Sequence, residues 1–121
     1  MHALIIETDA FIGCMIEDAL RESGFTSFDF ACSVEEAISA ASARCPDLIT
    51  TDVRVGIGTG LDAVAQICSG KRIPIVFITA TAGDLRAWHE EPTVVRKPFS
   101  VADVVKAVAQ MTTAKGPQIP S

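Results

Sequence analysis

Short runs of apolar and β-branched residues recur along this chain: Ala3-Leu4-Ile5-Ile6, Asp47-Leu48-Ile49-Thr50-Thr51, Ile75-Val76-Phe77-Ile78 and Thr93-Val94-Val95-Arg96. The first and the third of these apolar cores are continuous rather than alternating, the pattern of strands covered on both faces. Ser27 to Cys32 alternates weakly and reads as one more strand. Helical spacing fills the intervals. Phe11, Ile12, Met15, Ile16, Ala19 and Leu20 form one stripe, which Asp9 can cap and Gly24 stops. Ser33-Val34-Glu35-Glu36 is a capping box that opens an alanine-rich helix ending near Arg44. Leu61, Val64, Ala65 and Cys68 mark a third helix after the flexible loop Gly56 to Gly60. A weaker helical stretch runs from Asp84 to His89, and Ser100 to Asp103 caps a last helix carrying Val101, Val104, Val105 and Val108. Strands and helices in strict alternation, joined by short connections, predict an α/β fold with a parallel sheet between two helical layers.

The 121 residues suit one domain, expected over 1–112, with a polar, flexible tail over 113–121. Hydrophobic residues make up 49% of the chain and charged residues 21%, enough for a core. The net charge of −5 and the absence of a basic run argue against direct nucleic-acid binding. No apolar stretch is long enough to span a bilayer and no signal-peptide order appears. Cys14, Cys32, Cys45 and Cys68 form no C-x-x-C pair, and His2 and His89 lie apart from them. They are expected as reduced, buried small hydrophobes, which points to the cytoplasm.

In parallel α/β sheets the working site lies at the carboxyl ends of the strands. Glu7, Asp52, Thr79 and Lys97 follow strands one, three, four and five. Two carboxylates, a hydroxyl and an ammonium on one rim suit phosphoryl chemistry. Asp52 is the expected nucleophile, forming an acyl phosphate. Glu7 would help hold a divalent cation, Mg²⁺ being the one that favours carboxylates and phosphate oxygens. Lys97 would neutralise phosphoryl oxygens, and Thr79 would donate its hydroxyl to one of them.

These residues resemble those of the response-regulator receiver family. Pro46-Asp47-Leu48-Ile49-Thr50-Thr51-Asp52-Val53-Arg54 is similar to the phosphoacceptor strand, followed by Gly60-Leu61. Ile75-Val76-Phe77-Ile78-Thr79-Ala80 is similar to the strand that ends in the switch hydroxyl. Val95-Arg96-Lys97-Pro98-Phe99 is similar to the lysine strand, whose Lys-Pro bond is typically cis. The resemblance spans residues 3 to 112. It implies a flavodoxin-like (βα)5 fold with strand order 2-1-3-4-5. It also implies Mg²⁺ held by Glu7, Asp52 and the backbone carbonyl of Arg54, with Asp9 as a further candidate. The implied partners are a sensor histidine kinase or histidine phosphotransfer protein, which phosphorylates Asp52, and an output protein. The chain would then be a regulatory phosphoacceptor, not an enzyme with its own substrate, and it would use neither nucleic acid nor membrane. A homodimer would use the face of helix four, strand five and helix five.

Three departures bear on that expectation. Thr8 stands where the family carries its metal-touching acid, and a neutral hydroxyl is a weaker Mg²⁺ ligand. Val94 replaces the aromatic switch residue three places before the lysine, so a ring cannot turn inward when Thr79 moves. Thr79 to Lys97 spans 18 residues, about one helical turn less than the family pattern, and the shortfall falls in the weak fourth helix. Thr8 favours a rival reading, a pseudo-receiver that binds partners without phosphate, which the intact Asp52, Thr79 and Lys97 oppose. A flavin carrier is disfavoured, because Glu7-Thr8-Asp9-Ala10 has no glycine and would repel phosphate.

Overall fold

The computed structural model describes residues 1–55, 58–67, 70–81, 83, 85, 88 and 91–115, the last four by backbone alone. Strands β1 (His2–Ile6), β2 (Ser27–Ala31), β3 (Leu48–Thr51), β6 (Ile75–Thr79) and β7 (Thr93–Arg96) pair in parallel in the order β2-β1-β3-β6-β7. The flavodoxin-like class therefore holds. The numbering departs from the expected 2-1-3-4-5 because two short strands, β4 (Arg54–Val55) and β5 (Gly58–Thr59), form a separate antiparallel pair. Part of the expected flexible loop is thus an ordered ribbon. Its residues Gly56 and Ile57 lie outside the described set.

The helices are α1 (Ala10–Glu22), α2 (Val34–Ala43), α3 (Gly60–Ile67) and α4 (Val101–Lys115). Each begins or ends where side-chain chemistry dictates. The Asp9 carboxylate accepts from the N–H groups of Phe11 and Ile12 at the start of α1. At its end the Phe25 N–H reaches the Leu20 carbonyl across Gly24, whose φ of 101° suits a residue without Cβ. Ser33 Oγ accepts from Glu36 N–H, while Glu36 Oε1 accepts from Cys32 N–H, closing the predicted box one residue early. Ser100 and Asp103 cap α4 reciprocally, at 2.9 and 3.2 Å. The expected helix over 84–89 falls mostly outside the described residues, so four α-helices are seen among them where five were expected. Helix α4 extends into 113–115, the first residues of the expected tail; the rest of the tail lies outside the described residues.

Alternate residues of each strand point to opposite layers. Ala3, Ile5, Leu48, Val76, Ile78 and Val95 pack with Ile16, Ala19 and Leu20 of α1 and Val104 and Val108 of α4. Leu4, Ile6 and Ile49 pack with Ala37 of α2 and Ala63 and Val64 of α3. Phe77 lies under Val53 and Leu85, with Trp88 edge-on at 5.2 Å. Phe11 is 74% exposed, because it lies at the margin of the Ile12-Ile16-Ala19-Leu20 stripe.

The cysteines are a correction. Cys14, Cys32 and Cys45 carry free thiols, but all three are exposed. Cys14 falls on the outer face of α1, and the other two lie in connections rather than in strands or helices. Cys68 lies outside the described residues. His2 instead is buried, with its ring between Ser27 Oγ (2.8 Å) and Asp29 Oδ2 (2.9 Å), which pins β1 to the edge strand β2.

The loop after Asp52 depends on Gly60. Its N–H donates to the Val53 carbonyl at 2.6 Å, and a Cβ there would collide with the Asp52 carbonyl and Thr51 Oγ1. Neither is the movable end of a flexible chain. Gly60→Ala is therefore expected to lower unfolding free energy by about 2 kcal/mol or more, measured by urea denaturation.

Candidate functional site

The sheet ladders run one bond past the strand ends and fix the backbone of each rim residue. Glu7 N–H donates to the Ala31 carbonyl (2.9 Å), Asp52 N–H to Ile6 (3.2 Å) and Lys97 N–H to Thr79 (3.1 Å). Glu7 thus sits over β1, Asp52 over β3 and Lys97 beyond β7. Lys97 must reach across β6 to meet either acid, and neighbouring strands lie about 4.8 Å apart. Only a long, unbranched side chain spans that gap.

It does meet both. Lys97 Nζ lies 2.7 Å from Asp52 Oδ2 and 3.0 Å from Glu7 Oε1. The Glu7 side chain is 3% exposed, and those of Lys97 and Asp52 are 16% exposed. Burial alone would lower the Lys97 pKa, but its hydrogen bonds and charge attraction to Asp52 and Glu7 prevail and hold it above the ordinary lysine value. The other carboxylate oxygens have partners too. Glu7 Oε2 accepts from Asp9 N–H (3.1 Å), and Asp52 Oδ1 accepts from Arg54 N–H at a longer 3.3 Å. The Lys97–Pro98 peptide bond is cis.

Thr79 is placed differently. It is the last residue of β6 and 1% exposed, and its Oγ1 bonds to Thr81, not to Asp52 or Lys97. The expected convergence thus joins Asp52, Lys97 and Glu7 directly, with Thr79 on the adjoining strand end tied to Thr81. Sequence reasoning missed Thr81, although a Thr-x-Thr pair at a strand end is a visible signal. It also missed that Glu7 pairs with Lys97.

The cation ligands do not gather. Asp9 spends Oδ1 on the α1 cap. Thr8 is exposed and brings no charge. Lys97 lies between the two remaining carboxylates, and no group of three His, Cys, Asp or Glu among the described residues is placed to share an ion. As arranged, the side chains of Glu7, Asp52 and Asp9 do not fit a bound Mg²⁺. What they form is a partly solvated carboxylate beside an ammonium, an arrangement that can deliver a nucleophile and meet incoming negative charge.

Comparison with known proteins gives a consistent pattern. Residues 3–109 match the model of the response regulator receiver domain. The transcriptional regulatory protein PdtaR of Mycobacterium tuberculosis is 33% identical over 111 residues, covering 88% of this chain and 54% of that protein. The solution structure of the Erythrobacter litoralis PhyR receiver domain superposes with a TM-score of 0.82 at 30% identity, covering 93% of this chain and 89% of that one. A mutant of the anti-anti-sigma factor PhyR of Bartonella quintana has the same TM-score at 32% identity, covering 96% of this chain and 49% of that one. The chain spans about half the length of the curated relative PdtaR. Among the described residues no helix is long and apolar enough to cross a membrane.

Removing Lys97 would leave two neighbouring carboxylates without their counter-ion. Lys97→Met is expected to cost about 2 kcal/mol of unfolding free energy, below the value for a wholly buried pair because the site is partly solvated. The folded-state pKa of Lys97 is raised, so this stabilisation is complete at neutral pH and fades as pH climbs through the lysine range. Urea titrations at neutral and alkaline pH check both points: the gap between wild type and variant should narrow at high pH.

Proposed function

The chain belongs to the response-regulator receiver family, and from that premise we propose that Asp52 accepts a phosphoryl group from a phosphohistidine donor. The observation that carries this reading is the contact of Lys97 Nζ with Asp52 Oδ2 at 2.7 Å, on a carboxylate that keeps some solvent access. Oδ2 is neutralised by the ammonium. Oδ1, held among the described residues by the longer Arg54 N–H bond, keeps the more available lone pairs. Attack by Oδ1 on phosphorus forms the new O–P bond while the P–N bond of the donor breaks. The electron pair leaves with the imidazole, which takes up a proton. Lys97 is then placed to balance charge on the phosphoryl oxygens. Phosphorylation replaces the singly charged Asp52 carboxylate with an acyl phosphate that carries close to two negative charges beside Glu7, which shifts the balance of this rim and, through it, of the surfaces that partners read.

In this reading the partners are a sensor histidine kinase or phosphotransfer protein upstream and an output protein downstream, in the cytoplasm. The chain is a regulator rather than an enzyme with a substrate of its own. A homodimer through the 84–89 stretch, β7 and α4 belongs to the same proposal, though most of that stretch lies outside the described residues. Thr8 and the dispersed acids favour a second reading, a pseudo-receiver that binds partners whether or not Asp52 is modified.

Incubation with acetyl phosphate in buffer containing Mg²⁺, followed by intact-mass measurement, tests the proposal. A mass gain of one phosphoryl group on wild type and none on Asp52→Asn is the expected outcome. No gain on wild type, beside a control receiver that is modified, would favour the pseudo-receiver.

A further inference from the structure

The Thr79 hydroxyl has one hydrogen to give and two lone pairs to fill. One lone pair accepts the Thr81 N–H at 3.1 Å. The remaining contact, Thr79 Oγ1 to Thr81 Oγ1 at 3.0 Å, can run in either direction. If Thr79 donates, its hydrogen is spent on Thr81. If Thr81 donates, both lone pairs of Thr79 are filled and its hydrogen is free to point elsewhere. The two arrangements differ by rotation of two hydroxyls and need no movement of strand β6. Thr81 is half-buried while Thr79 is 1% exposed, so water can compensate Thr81 in either state but can hardly reach Thr79.

We infer that Thr81 is the second hydroxyl of the switch, a positioning residue that holds the Thr79 hydrogen in the resting protein and releases it to a phosphoryl oxygen when Asp52 is modified. This rests on Asp52 being the phosphoacceptor. A phosphoryl oxygen is a stronger acceptor than a neutral hydroxyl, so its arrival favours the arrangement in which Thr79 donates outward. Thr81 then donates into Thr79, and a hydroxyl that accepts one bond becomes a better donor of another. The device also fits what β7 lacks. Val94 packs in the cluster of Phe77, Val53 and Leu85 and has neither a ring to swing nor a polar atom to offer. Thr81 supplies the coupling group two residues beyond the strand that ends in Thr79.

The test follows β6 and β7 backbone amides by ¹H–¹⁵N NMR in wild type, Thr81→Ser and Thr81→Val, each compared with its own unphosphorylated spectrum. Acetyl phosphate is the donor, and intact mass fixes the modified fraction. Thr81→Ser, which keeps the hydroxyl, should retain the phosphorylation-induced shifts of wild type. In Thr81→Val, at equal modification, those of Thr79 and its β7 partner Arg96 should shrink at least about threefold. Thr81→Ala replaces the valine variant if that one fails to fold. Full-sized shifts in a phosphorylated variant without the hydroxyl would overturn the inference while leaving Asp52 as phosphoacceptor. Absence of modification in wild type would overturn both.

Discussion

One ammonium holds the rim of this sheet together. Lys97 crosses β6 to lie between Asp52 and Glu7, and the three ends of β1, β3 and β7 are tied through that single charge. Two acids on neighbouring strand ends would otherwise repel each other in a partly dry setting, where charge interactions are strong. The raised pKa of the lysine expresses the same fact from the proton's side: the folded protein prefers the ammonium because both carboxylates face it.

The scaffold beneath exists to keep those distances. Two helical layers bury both faces of the sheet, so the strand ends cannot drift independently. The ladder bonds at Glu7, Asp52 and Lys97 carry that rigidity one residue past the sheet. Gly60 lets the loop after Asp52 fold back onto the backbone it leaves, a closeness no side chain at that position would permit. Beside this fixed core the Thr79–Thr81 pair is the adaptable part, since two hydroxyls can reverse a hydrogen bond without moving a strand.

Most of this was legible in the residues themselves. Continuous apolar runs announce strands with two covered faces, and β1 and β6 meet that description. Capping chemistry at Asp9, Ser33 and Ser100 located three helix starts. Contacts that depend on distance in space were not legible. No periodicity reveals that Lys97 will lie on Glu7 as well as Asp52. The cysteines were misjudged because apolar neighbours in sequence say little about which side of α1 a residue faces; Cys14 follows Gly13 yet points outward. The β4–β5 ribbon escaped notice because two-residue strands leave no pattern to detect.

A double-mutant cycle on Lys97→Met and Asp52→Asn, read by urea unfolding at neutral pH, measures the central contact. The account predicts that the two substitutions fail to add, with a favourable coupling of at least about 1 kcal/mol. Strict additivity, within the error of the unfolding curves, would mean that the ammonium and the carboxylate do not sense each other and would contradict it.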